Sequence, residues 1–212
     1  MIILLTIFAS SFVIALSGAM MPGTLLTVTI SESSRRGVMA GPLLIVGHSI
    51  LELGLLIALL LGLAPFFERE GFFIAISLIG GGILLWMAIG MFRALPSLRI
   101  SWDTQETKHS NLILTGVLMS VANPYWILWW ATIGIGYIMH SKQYGLWGLL
   151  FFFTGHILAD FAWYAIVSAA VGKGRKFFTD QIYRGIIGVC ATVLVVFACL
   201  FIYKAISTIA TS

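Results

Sequence analysis

Charge is scarce in this sequence. Only 9% of its residues are Asp, Glu, Lys or Arg, and none of these falls between Met1 and Ser31. A chain so poor in charge, with a mean hydropathy of +1.05, cannot be a solvated globular domain. Its longest polar stretch, 93–111, is too short to bury a core of its own. The net charge of +4 is therefore no footprint of nucleic-acid binding and has to be read loop by loop. Cysteine is also scarce. Cys190 and Cys199 lie nine positions apart in one apolar run. On a helix that is roughly 13 Å, beyond the reach of a disulfide, so the pair carries no information on redox compartment. A basic n-region is missing too, and the first apolar run is about twice the usual signal-peptide core. It is expected to be a retained span. No side chain reads as a nucleophile beside a base, so no enzymatic activity is expected, and no cofactor is called for.

What the sequence has is long apolar runs, and about 20 such residues cross a bilayer. Six spans are predicted, at 2–31, 38–63, 71–93, 110–138, 146–171 and 183–207. The breaks are SESSRRG (31–37), APFFEREG (64–71), the loop 93–111, HSKQYG (140–145) and GKGRKFFTDQ (172–181). The first, third and fifth breaks and their immediate flanks hold nine Lys and Arg: Arg35, Arg36, Arg93, Arg99, Lys108, Lys173, Arg175, Lys176 and Arg184. The other side holds three: Arg69, Lys142 and Lys204. The positive-inside rule then puts the richer side in the cytoplasm and both termini outside. The expected fold is an all-α membrane protein with a single transmembrane domain, 1–212. Its halves, 1–93 and 110–208, are joined by a cytoplasmic loop, 94–109.

The halves are related. GHSILE (47–52) and GHILAD (155–160) carry the same Gly-His-x-x-x-acid pattern. Gly37, Gly47, His48 and Glu52 match Gly145, Gly155, His156 and Asp160 at a constant offset of 108, and Gly80 and Gly188 extend the register. Three spans per half is an odd number, so the halves are expected to be inverted in the membrane, as in many secondary transporters. Each half also has a proline in its first span, Met21-Pro22-Gly23 and Asn123-Pro124-Tyr125, although these two are about six residues out of register. A proline removes a helix hydrogen bond and frees the carbonyl four residues earlier: Gly18 for Pro22, Ser120 for Pro124. Paired broken helices point to a substrate site, so Pro22, Gly23, Asn123, Pro124 and Tyr125 are candidate binding residues.

His48 and His156 each lie about ten residues into a span, roughly 15 Å deep and near the midplane. His48 with Glu52, and His156 with Asp160, are i,i+4 pairs that share a helix face. Inverted symmetry would bring the four together. Three readings are open for them. They pin helix packing as polar glue; they exchange protons and couple transport to the proton gradient; or they coordinate a divalent cation, since nitrogen and oxygen ligands suit zinc, manganese or cadmium. Tyr125, Trp126, Trp129 and Trp130 follow the second break at a depth where an aromatic can line a cavity and hold a cationic or apolar group. Trp86, Trp147 and Trp163 read as ordinary span residues, and His109 and His140 as loop residues. GGG (80–82) permits close helix approach. Glu32 beside Arg35 and Arg36 reads as a solvated cluster, and GKGRK (172–176) as topology-setting charge.

The run PGTLLTVTISESSRRGVMAGPLLIVGHSILELGLL (22–56) resembles the signature of the LysE/RhtB superfamily of amino-acid exporters. The resemblance rests on Pro22-Gly23, on Gly37 with Gly41, on Gly47-His48 and on Asn123-Pro124. Length, span count and order agree over the whole chain. The resemblance implies ion-driven export of small metabolites, usually amino acids or derivatives, across the inner membrane. This chain departs from the pattern in having Thr24 after Pro22-Gly23, His48 where an acid is usual, and Tyr125 where Lys is usual. Its acids stand instead at Glu52 and Asp160. Amino-acid-type export coupled to protons is the leading expectation, with His48, Glu52, His156 and Asp160 as coupling residues. Divalent-metal export, with the same four as ligands, is the alternative, and a homodimer is plausible.

Overall fold

The computed structural model describes residues 1–21, 23–63, 69–99, 111–174 and 179–211. Pro22, the core of the second break at 64–68, Lys108, His109, Arg175 and Lys176 lie outside them. The described residues are almost all helical, with no strand among them. In chain order the helices are α1 (Ile2–Ala19), α2 (Thr24–Arg36), α3 (Ala40–Ala58), α4 (Glu70–Ala94), α5 (Leu112–Val121), α6 (Pro124–Trp129), α7 (Ile135–Lys142), α8 (Gly145–Lys173) and α9 (Asp180–Thr211). Helix α3 runs on through a π turn at Leu59–Leu63, and a second π turn, Trp130–Gly134, joins α6 to α7. Five helices are long and apolar enough to cross a membrane. A sixth crossing is formed if α5 and the segment Tyr125–Lys142, bent by 66°, are one broken span. Large apolar residues such as Ile50, Ile57, Trp86, Leu146 and Val189 face outward. That is the pattern of helices whose solvent is lipid.

The first span is broken between Ala19 and Thr24, where Met21-Pro22-Gly23 predicts a break, but its second segment runs past the expected end at 31. Helix α1 stops at Ala19, and a new helix runs from Thr24 through most of SESSRRG to Arg36. The polar residues expected in a loop are helical because they have partners. Glu32 pairs with Arg36 at 2.7 Å, one turn on, and Ser33 and Ser34 are buried. Ser33 Oγ lies 2.7 Å from Ser168 Oγ on α8, and Ser168 Oγ accepts the Gly41 backbone N–H at the start of α3, also at 2.7 Å. A serine on α8 thus caps an otherwise orphaned helix-start donor.

Packing joins the two halves. Helix α1 lies against α8, α3 against α5, and α4 against α9. Two of the 108-spaced glycines set the first two contacts. A Cβ on Gly47 would run into the Ile113 carbonyl of α5, and a Cβ on Gly155 into the Phe8 carbonyl of α1. Small residues let backbones meet at van der Waals distance, and each of these glycines brings the histidine after it to a helix crossing. Another repeat-related pair, Gly37 (φ 81) and Gly145 (φ 65), takes the left-handed backbone that ends α2 and opens α8.

Candidate functional site

The two helix breaks meet. Asn123 caps α6: its Oδ1 accepts the Tyr125 backbone N–H at 3.1 Å, with Pro124 at the first helical position, where no N–H is needed. A Cβ on Gly23 would sit 2.8 Å from Asn123 Nδ2, so the backbone at the first break rests on the cap of the second. The carbonyls expected to be freed by the prolines are both occupied. The Met21 N–H bonds to the Gly18 carbonyl and the Asn123 N–H to the Ser120 carbonyl, each at 3.1 Å. These tighter i→i+3 turns move the vacancy one residue back in the second break, to Met119. That carbonyl accepts from the Thr24 hydroxyl at 2.7 Å, so a residue of the first break seals the second.

Beside the breaks the four ionisable residues converge, buried to 7% exposure or less: His48 7%, Glu52 1%, His156 4% and Asp160 4%. They do not form two separate i,i+4 pairs. Glu52 is the hub. Its Oε1 accepts the indole N–H of Trp126 and of Trp130, each at 2.9 Å, and lies 3.1 Å from His48 Nε2. Its Oε2 lies 2.8 Å from His156 Nε2. An indole N–H can only donate, so Glu52 is held as an acceptor. Asp160 is far less engaged. Its Oδ2 lies 3.6 Å from His156 Nε2 and 3.7 Å from His48 Nε2, too far for a hydrogen bond, and it has no hydrogen-bond partner among the described residues.

His48 is oriented from its other side. Its Nδ1 lies 2.7 Å from Ser120 Oγ, and that hydroxyl donates to the Gly116 carbonyl at 2.7 Å. A hydroxyl has one proton, so with it on Gly116 the imidazole Nδ1 is the donor to Ser120. His156 is held by rings: Trp129, Trp130 and Phe152 lie with centroids 4.8, 5.3 and 6.0 Å from it.

All of this surrounds one small cavity of about 40 Å³, lined by residues of both breaks (Gly18, Met21, Asn123, Tyr125) and by all four ionisable residues. That is room for one or a few water-sized groups. Of the residues expected to bind substrate, Asn123 and Tyr125 line it, Gly23 touches Asn123, and Pro22 and the Pro124 ring lie outside the described residues. The sequence singles out Trp126 and Trp130 as aromatics able to line a cavity, and Trp126, with Tyr125 and Trp129, lines this one; it does not single out their hydrogen bonds to Glu52 or that between Ser120 and His48. Trp126 and Trp130 had a signal, their i,i+4 spacing, which puts both indoles on one helix face. Ser120 had none, because its link to His48 spans 72 residues. Separately, His48, Glu52 and Asp160 each offer a ligand atom within 4.8 Å of the others.

One family model, LysE type translocator, matches residues 16–205. A search of curated proteins and a search of solved structures find no match.

Proposed function

The chain belongs to the LysE type translocator family, and from that premise we propose that it is a secondary exporter of a small metabolite, an amino acid or a derivative of one, coupled to protons. Membership makes it a multi-pass membrane transporter. Substrate and coupling are our reading. The observation that carries it is that both helix breaks and the buried His48–Glu52–His156–Asp160 cluster line one cavity. Ionisable groups at such depth are costly and mark ion pathways. Placed against the substrate's position, they let occupancy by a substrate and occupancy by a proton be felt by the same side chains. We further propose that the halves are inverted repeats, with both termini outside the inner membrane. The cross-half packing of α1 on α8, α3 on α5 and α4 on α9 supports this: exchanging the halves maps the first contact onto the second and the third onto itself.

The test is flux in proteoliposomes. A pH gradient should drive uphill movement of at least one amino acid, and collapse of the gradient should abolish it. A second reading, divalent-cation export, is favoured by the convergence of His48, Glu52 and Asp160. In the same vesicles, gradient-driven flux of zinc, manganese or cadmium with none of any amino acid would select it.

A further inference from the structure

The two buried acids of the repeat are equivalent in sequence and unequal in the fold. Glu52 is crowded: four nitrogens converge on its two oxygens, three on Oε1, two of these being indole N–H groups, and one on Oε2. A ligand at Glu52 Oε1 would have to displace three of them. Asp160 Oδ2 has no hydrogen bond to lose. It lines the cavity, and a second buried group lining the same cavity is also unpartnered, the indole Nε1 of Trp129. Trp129 is 5% exposed, and its Nε1 faces the last turn of α1, where a Cβ on Gly18 would lie 3.2 Å away. Buried polar groups are seldom left unpaired. His156 Nδ1, on a third residue of the lining, is unpartnered too, and the vacant carboxylate oxygen and indole N–H suit a ligand that offers a donor to one and an acceptor to the other.

We propose that Asp160 and Trp129 form the recognition pair for the transported molecule. The Asp160 carboxylate takes a cationic N–H group of ammonium type, and the Trp129 indole N–H donates to an oxygen of the same molecule. Glu52 is a fixed acceptor that positions Trp126, Trp130 and the two histidines and does not touch the substrate. This rests on the metabolite-exporter reading and adds to it which acid binds. The cavity has room for a water-sized head group, and an ammonium group is that size. Tyr125 and Trp129 both line the cavity, and aromatic rings beside a site favour a cation.

The test is calorimetric binding to the full chain in nanodiscs. The probes are the free amino acids, and for each binder the analogue in which hydrogen replaces the ammonium group. Wild type should bind the parent about 30-fold or more tightly than the analogue, since a hydrogen bond to a charged group is lost. Asp160→Asn should abolish that difference. Trp129→Phe should weaken the parent by about five-fold or more, for one neutral hydrogen bond. The unliganded melting temperatures of both variants report folding. Should Asp160→Asn fail to fold, the wild-type comparison of parent with analogue decides alone. Equal wild-type affinity for the two, or a parent affinity unchanged by Asp160→Asn or Trp129→Phe, overturns the recognition pair and leaves the exporter reading standing. No wild-type binding of any amino acid overturns the recognition pair, and overturns the exporter reading as well if no amino acid or derivative moves under the pH gradient.

Discussion

At the scale of single residues, the cluster depends on Glu52 for its integrity. Removing it leaves two indole N–H groups and two imidazoles without their acceptor in a buried site, where unpaired polar groups are costly. Glu52→Ala is expected to destabilise the protein by about 3–5 kcal/mol, the range for breaking a buried pair from one side, as measured by thermal unfolding in detergent. Trp126→Phe and Trp130→Phe each remove one donor to a charged oxygen and should cost about 1.5–3 kcal/mol. Equal, negligible effects of all three would mean that the carboxylate does not organise the site. Ser120→Ala is a milder case: it takes the acceptor from His48 Nδ1 and should cost about 1 kcal/mol. The identities of the four ionisable residues could be read from the sequence because the Gly-His-x-x-x-acid pattern repeats. Their unequal roles could not, because the indoles that donate to Glu52 come from α6 and its π turn, 74 and 78 residues along the chain.

At the scale of elements, two glycines set how closely the histidine-bearing helices approach their neighbours. Gly47→Ala drives a methyl into the Ile113 carbonyl and Gly155→Ala into the Phe8 carbonyl. Backbone cannot yield as a side chain can, so each should cost about 1–3 kcal/mol or more by overpacking. Gly54→Ala is the control on the same helix as Gly47, with open space around it. It should leave the melting temperature unchanged or raise it, since alanine favours a helix. Comparable losses at Gly47 and Gly54 would contradict the close crossing of α3 and α5. The long apolar runs gave the helices well: 71–93 is realised as Glu70–Ala94, and 146–171 as Gly145–Lys173. The first break was legible from Met21-Pro22-Gly23, but the continuation of α2 through SESSRR was not. What keeps that polar segment helical is tertiary, Ser168 reaching across from α8, and hydropathy has no access to a partner 135 residues away.

At the scale of the whole molecule, the two halves meet at one cavity. The breaks satisfy each other, through Thr24 on the Met119 carbonyl and Gly23 against Asn123, so movement of one disturbs the contacts of the other. Thr24→Val unpairs a carbonyl at this junction and, on this account, should raise the rate of exchange more than it lowers the affinity. Equal affinity and unchanged exchange would show that the contact is not part of the moving seam. The resemblance to exporters was legible in Pro22-Gly23, Gly47-His48 and Asn123-Pro124, and the family match over 16–205 agrees with it. The acids of the repeated Gly-His-x-x-x-acid pattern, Glu52 and Asp160, both line the cavity.

The most direct test of the central claim is proton movement itself. Proteoliposomes carrying an internal pH dye are given each amino acid in turn, with wild type beside the Glu52→Gln, Asp160→Asn double variant. The account predicts a substrate-evoked internal pH change in wild type and none in the double variant, reconstituted at equal density and folded by its melting curve. Substrate-evoked proton movement that persists in the double variant would contradict it, as would substrate flux through wild type with no proton movement at all.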